Sequence, residues 1–98
     1  MTGDLVTLLV GAVRGRRMVT FTYGGLPRTV HPAVVGVLHG NATLHGYQVG
    51  GGSRGGVLPE WRNFTVAKIA DLAVLDVVFP RDPPGYGEVP FDPVYAAL

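Results

Sequence analysis

Fifteen glycines and eight prolines occur every few positions along this chain of 98 residues, and their spacing limits the folds that the chain can adopt. Glycine weakens regular structure through its backbone freedom, and proline through its fixed φ and its missing N–H donor. Short strands joined by tight turns tolerate such spacing, whereas long helices do not. The length suits one compact domain. The sequence therefore predicts a mainly β domain.

One helix is predicted at the start of the chain. Thr2 or Asp4 can cap it, and apolar residues recur at helical spacing until about Arg14. This apolar stripe consists of Leu5, Leu8, Leu9, Ala12 and Val13. The run from Arg14 to Arg17 ends the helix, with cations near the free carbonyl groups and Gly15 available for a left-handed conformation. A basic helix end also suits a contact with nucleic acid.

Five strands are predicted after the helix, because short alternating or β-branched segments are each bounded by turn residues. Pro32 restricts the second strand to an edge, a bulge or a bend. The strands cover Met18 to Tyr23, Arg28 to Leu38, Ala42 to Val49, Glu60 to Ile69 and Asp71 to Phe79. Five short strands with tight connections predict a small, strongly bent sheet that closes into a barrel, with the N-terminal helix packed on it.

The composition changes after Phe79, which divides the chain into a domain over residues 1–79 and a proline-rich acidic tail over residues 80–98. Five prolines and two glycines lie in this tail. We therefore expect an extended segment without regular structure. Its aromatic residues, Tyr86, Phe91 and Tyr95, can anchor it on an apolar surface.

Charge is unevenly distributed, although the net charge is only +1. Seven basic residues and one acid lie between Gly11 and Ile69, whereas five acids and one base follow from Ala70 onward. A basic body can attract polyanions, and a domain that balances itself with its own tail produces the same pattern.

Two features bear on the compartment. The chain has no cysteine, which excludes disulfides, a thiol nucleophile and cysteine-ligated zinc. The apolar run from Leu5 to Val13 is too short to span a bilayer, and its positive residues follow it instead of preceding it, unlike those of a signal peptide. We expect a cytoplasmic protein with no membrane contact.

The stretch from Glu60 to Ile69 combines strand alternation, the single tryptophan and two cations. In a continuous strand, Arg62 and Lys68 share one face with an apolar pair between them, while Trp61 lies on the other face. This pattern fits a strand whose middle packs in a core and whose ends reach a rim where an anion can bind. A core strand with solvated ends also fits it, and is the more common arrangement.

No catalytic or metal-binding constellation can be assembled. The spacing of the three histidines fits no metal motif, and Ser53 is the only serine. Gly50, Gly52 and Gly55 match a dinucleotide-binding spacing, but the proline at position 59 argues against the helix that such a motif must open. We read that segment as a hairpin loop and expect no enzyme activity, cofactor or metal.

The order of several short motifs resembles the WYL domain, a ligand-sensing module of bacterial transcription regulators. The resemblance covers roughly residues 4 to 79 and rests on a strand ending in Tyr23, followed by Arg28 to Pro32, Gly40 to Tyr47, Arg62 to Ile69 and a final Phe79. It departs from the family where Ala42-Thr43-Leu44 replaces the naming Trp-Tyr-Leu triplet. Lys68 also replaces the usual arginine, which keeps the charge and loses the planar fork.

The resemblance implies a five-stranded Sm/SH3-like barrel that binds an anionic effector, single-stranded nucleic acid or a nucleotide, and modulates transcription through a protein partner or as a homo-oligomer. The residues that match the family's positions, and are expected to contact the anion, are Arg28, His31, Arg62 and Lys68. By strand alternation, His45 and Tyr47 share a face with Thr43, so they can replace part of the missing aromatic surface.

Two alternatives stay open. The chain can be a protein interaction or oligomerisation module that docks through a sheet edge or its proline-rich tail, without a small ligand. The acidic tail can also cover the basic face as an internal mimic of the ligand.

Overall fold

The computed structural model describes residues 2–52 and 57–98 and consists mainly of β-strands, as predicted. One N-terminal helix precedes five strands, and a sixth strand lies in the tail. The elements are α1 (Thr2–Gly15), β1 (Arg17–Tyr23), β2 (Leu26–Leu38), β3 (Asn41–Gly51), β4 (Glu60–Thr65), a 3₁₀ helix (Val66–Lys68), β5 (Ala70–Val78) and β6 (Val94–Ala97). The predicted hairpin loop, including Ser53 and Gly55, lies largely outside the described residues.

All strand pairs are antiparallel, and the order across the sheet is β4-β3-β2-β1-β5. β6 pairs with β2 beside this path. β4 and β5 stand at its two ends and are not paired with each other within the described residues. The described sheet is therefore open.

The long strand β2 pairs with two different strands along one of its edges. Its first half pairs with β1, and its second half pairs with β6. Against β3, its register shifts between Pro32 and Val34. Proline has no N–H to donate to a ladder, and a bulge accommodates it there, as predicted.

Helix α1 packs on the inner face of the sheet, which we define as the face that carries the main core. Leu9, Ala12 and Val13 of the helix are buried there. They belong to one cluster with strand residues Val19, Phe21, Val30, Val35, Leu44 and Phe64. Leu8 of the predicted stripe is half exposed instead, because it lies at the edge of the helical face centred on Leu9.

Two predictions about chain geometry are wrong. At the end of α1, the left-handed residue is Arg16, with φ of 53°, and Gly15 is still helical. β4 ends at Thr65, four residues before the predicted end. A 3₁₀ turn follows, in which the N–H of Ile69 donates to the Val66 carbonyl oxygen at 3.0 Å. Strand alternation therefore does not extend to Lys68.

Before β6, the tail packs on the outer face, opposite α1, whereas Ala96 of β6 joins the main core. Phe91 is buried and Tyr86 is partly buried in a cluster with Ala33 and Val34 of β2, so both act as anchors. Tyr95 does not, since it is 43% exposed. The expectation that the tail has no regular structure is wrong at its end, because the residues of β6 follow the last proline and all have N–H donors.

Within residues 2–52 and 57–98, no helix has the length and hydropathy to cross a bilayer.

Candidate functional site

Three ring side chains form a row across the outer face, perpendicular to the strands. His31 of β2 pairs in register with Tyr47 of β3, and Tyr47 pairs with Trp61 of β4. Residues at paired positions point to the same side of a sheet, so the rings become neighbours. Their centroids lie 6.2 Å apart for His31 and Tyr47 and 5.2 Å apart for Tyr47 and Trp61. All three residues are partly exposed. We call these residues, together with His45, the aromatic row.

His45 lies parallel to Trp61, with centroids 4.8 Å apart and planes inclined by 7°. Its Nδ1 atom lies 2.7 Å from Oδ1 of Asn63, which is the paired position on β4. A carbonyl oxygen only accepts hydrogen bonds, so this contact requires a proton on Nδ1. In the neutral ring, Nε2 is then the acceptor.

His31 lies at the other end of the row, against the buried ring of Phe79 at a centroid distance of 4.6 Å. Its Nδ1 atom is buried and has no hydrogen-bond partner within the described residues. Burial lowers the pKa of the His31 imidazole, because desolvation disfavours its charged form. Burial therefore favours the neutral form of the His31 ring, which suits stacking.

Arg28 occupies the inner face and is only 5% exposed. Its NH1 donates to Oε1 of Gln48 at 3.3 Å, and its NH2 donates to the carbonyl oxygen of Tyr23 at 3.0 Å. The guanidinium also lies over the rings of Tyr23 and Phe64, at 5.7 and 5.9 Å from their centroids. Through these contacts, the guanidinium of Arg28 stabilises one end of the core.

Gln48 extends this support to the end of β3. It is fully buried, and its Nε2 donates to the carbonyl oxygens of Gly50 at 3.0 Å and Gly52 at 2.9 Å. Buried polar groups are stable only when they are hydrogen-bonded, and Gln48 meets this condition with both ends of its amide. Arg28 and Gln48 together fix the chain where it leaves the sheet.

The six predicted ligand contacts do not converge on one site. Arg62 shares the inner face with Arg28, and its NH2 forms an ion pair with Oε2 of Glu60 at 2.7 Å. Lys68 is exposed on the 3₁₀ turn. The structure groups the remaining three, His31, His45 and Tyr47, on the outer face. The sheet therefore separates Arg28 and Arg62 from the aromatic residues.

Arg16 belongs to the basic helix end that the sequence offered as a nucleic-acid contact, but its partners were not predicted. Its guanidinium lies over the Phe79 ring at 5.3 Å from the centroid, and its Nε donates to the Phe79 carbonyl oxygen at 3.2 Å. Its NH2 pairs with Asp82 at 2.6 Å. Because Phe79 is also the neighbour of His31, Arg16 brings a cation to the end of the aromatic row.

The tail covers the opposite end of the row. Nε1 of Trp61 donates to the carbonyl oxygen of Pro84 at 2.8 Å. The ring of Tyr86 lies 6.1 Å from the indole, and the ring of Phe91 lies 6.2 Å from His45. A cavity of about 230 Å³ with mostly apolar walls lies between tail residues 86–89 and the paired strands β2 and β6.

The arrangement is suited to hold a planar group. Half-exposed rings stack on flat ligands, and the edges of His45 and Asn63 supply hydrogen-bonding atoms. Across the described ranges, no group of three or more metal-ligating side chains is gathered. Comparison of the chain with family models, curated proteins and solved structures found no match.

Proposed function

We propose that this chain is a WYL-like regulatory domain that binds a nucleotide, free or within single-stranded nucleic acid, on the aromatic row. The observation that carries the proposal is the registered alignment of His31, Tyr47 and Trp61 on three neighbouring strands. Every nucleobase has a π-face, so a row of half-exposed rings binds bases without needing a particular sequence.

The proposal revises the roles expected from the resemblance. Arg28 and Arg62 are assigned structural roles on the inner face, because their guanidinium groups already bond to Gln48 and Glu60. Lys68 is exposed on the 3₁₀ turn, outside the aromatic row, and is assigned no contact with the ligand. His45 and Tyr47 become the principal ligand contacts, and His31 contributes stacking instead of charge.

The strand order supports the finer fold that the resemblance implies. A path from β4 through β3, β2 and β1 to β5, with one 3₁₀ turn between β4 and β5, is compatible with a strongly bent Sm/SH3-like sheet. In such a domain the ligand changes how the protein contacts a transcription partner or a second copy. The proposed activity is binding, without catalysis.

Trp61 makes the proposal directly testable, because it is the only tryptophan in the chain. We expect adenosine monophosphate and a short oligodeoxyadenylate to quench its fluorescence in a saturable, salt-sensitive titration at low ionic strength. Tyr47→Ala should weaken binding about 5- to 150-fold, the range that corresponds to about 1–3 kcal/mol for the loss of one stacking ring. Tyr95→Ala is the matched control, since Tyr95 lies exposed on β6 and should leave the affinity unchanged. Absence of binding by the wild-type chain would refute the proposal.

A second candidate function is association through the edge of the sheet. β5 is nine residues long and stands at one end of the strand path, and its residues Val77 and Val78 are 56% and 57% exposed. Exposed apolar edge strands are templates for pairing with another chain. Light scattering tests this candidate: self-association that Val77→Lys abolishes favours it, and a monomer at all concentrations excludes homo-oligomers formed at this edge.

A further inference from the structure

We propose that the tail segment from Asp82 to Tyr86, here called the strap, occupies the nucleotide site as a built-in competitor, with Arg16 as the phosphate-binding residue and Trp61 as the base-binding residue. This inference rests on the proposed function and adds to it the anion subsite and the mode of regulation. It follows from what the strap contacts at each of its ends.

At the first end, the strap presents a carboxylate to a guanidinium. NH2 of Arg16 and Oδ1 of Asp82 lie 2.6 Å apart, and the two side chains are 32% and 51% exposed. An arginine that binds a carboxylate has the donor geometry that also binds a phosphate. The Phe79 ring beneath the guanidinium holds it beside His31, next to the aromatic row.

At the second end, the strap presents a carbonyl group and a flat surface to the indole. Nε1 of Trp61 donates to the Pro84 carbonyl oxygen at 2.8 Å, and the backbone of Gly85 lies against the ring edge. Bases carry acceptors that can replace this carbonyl oxygen, namely O6 and N7 of guanine, O4 of thymine and N7 of adenine. The strap therefore satisfies the indole N–H that a base would otherwise meet.

The two subsites are close enough for one ligand to reach both. Only Pro83 separates Asp82 from Pro84, so the Cα atoms of these two residues are at most about 7 Å apart. Pro83 is buried, which fixes the spacing. One nucleotide, or two neighbouring nucleotides of a single strand, can place a phosphate on Arg16 and a base on the row.

The Asp82 end of the strap is held weakly enough to permit exchange, whereas Tyr86 anchors the other end. Its ion pair with Arg16 is solvent-exposed, and such pairs contribute only about 0–1 kcal/mol. Beyond the strap, β6 remains paired with β2 and keeps the displaced segment tethered. A tethered competitor has a high effective concentration, so it lowers the apparent affinity for a free ligand without abolishing binding.

Substitution of each partner of the ion pair distinguishes a competitor for the nucleotide site from a contact that only stabilises the fold. Asp82→Asn removes the competitor's charge and leaves Arg16 available, so nucleotide affinity should rise about two- to fivefold. Arg16→Gln removes the phosphate subsite, so affinity should fall by a similar or larger factor. The matched controls are Asp76→Asn and Arg17→Gln, which break a similar surface ion pair, with a 3.0 Å contact, and should leave the affinity unchanged.

The affinity of the full-length variants for adenosine monophosphate is measured by Trp61 fluorescence. Opposite effects of Asp82→Asn and Arg16→Gln support the competitor. Effects in the same direction, or none, overturn it while leaving the nucleotide site intact, because the wild-type chain then still binds. Failure of every variant and of the wild-type chain to bind overturns the proposed function itself.

Discussion

The indole N–H of Trp61 donates its hydrogen bond to the carbonyl oxygen of Pro84, in a segment that begins the proline-rich tail. This contact joins the only tryptophan of the sheet's outer face to a part of the chain that composition alone assigns to a separate tail. It makes the state of the tail observable, because tryptophan fluorescence responds to the polarity around the ring.

A single methyl group should lift the strap from Trp61. A Cβ atom built on Gly85 would lie 3.1 Å from Nε1 of Trp61, and the residue has φ of 81°, which disfavours any side chain. Gly85→Ala should therefore red-shift the fluorescence of the unliganded protein and increase its quenching by acrylamide. Gly87→Ala is the matched control, since a Cβ there meets no atom within 4 Å. Identical spectra for the two variants would mean that the strap does not shield the indole.

Arg28 should be needed for stability more than for ligand binding. Arg28→Leu leaves the buried acceptor of Gln48 and the partly buried acceptor of Tyr23 without this donor, at a cost of about 1–2 kcal/mol each. We expect the free energy of unfolding to fall by about 2–4 kcal/mol in a urea titration. Arg14→Leu, at the exposed end of α1, should change it by less than about 0.5 kcal/mol. Unaltered stability of Arg28→Leu together with lost nucleotide binding would restore Arg28 to the ligand site.

Stability should depend on pH through His31. Burial lowers its pKa in the folded chain below the ordinary value near 6.5, so between these two values the unfolded chain binds more protons than the folded one. The free energy of unfolding therefore rises with pH in this window, and the contribution of the buried neutral ring is lost as the pH falls below about 6.5.

Urea titrations at about pH 7.5 and about pH 5.5 measure this dependence. The loss of stability at the lower pH should be smaller in His31→Gln than in the wild-type chain. His39→Gln, at an exposed turn residue, should retain the full loss. Equal pH dependence in His31→Gln and the wild-type chain would show that His31 is not the titrating group.

The periodicity of the sequence was sufficient to predict the helix and the five main strands. Val19 and Phe21 alternate with polar residues, and both prove to be buried in the core. Pro32 signalled the bulge in β2 because a missing N–H is a local property. Such features depend on neighbours along the chain, so the sequence reveals them.

The candidate site depends on contacts between residues that are far apart in the sequence, and the periodicity of the sequence does not reveal such contacts. Arg16 and Phe79 are separated by 63 positions, and nothing near either residue indicates the other. Lys68 was assigned to the face of Arg62 because the 3₁₀ turn, closed by one backbone hydrogen bond to Val66, has no distinct sequence pattern. The pairing of β6 with β2 was missed for the same reason, since its four residues are too few to show alternation.

The most direct test of the central claim is a ¹H–¹⁵N NMR titration of the full chain with adenosine monophosphate. The account predicts that the indole resonance of Trp61 and the backbone amides of His45 and Tyr47 shift together, while the Nε resonance of the buried Arg28 stays in place. Shifts centred on Arg28, Arg62 and Lys68, with the Trp61 indole unmoved, would contradict it and place the ligand on the inner face.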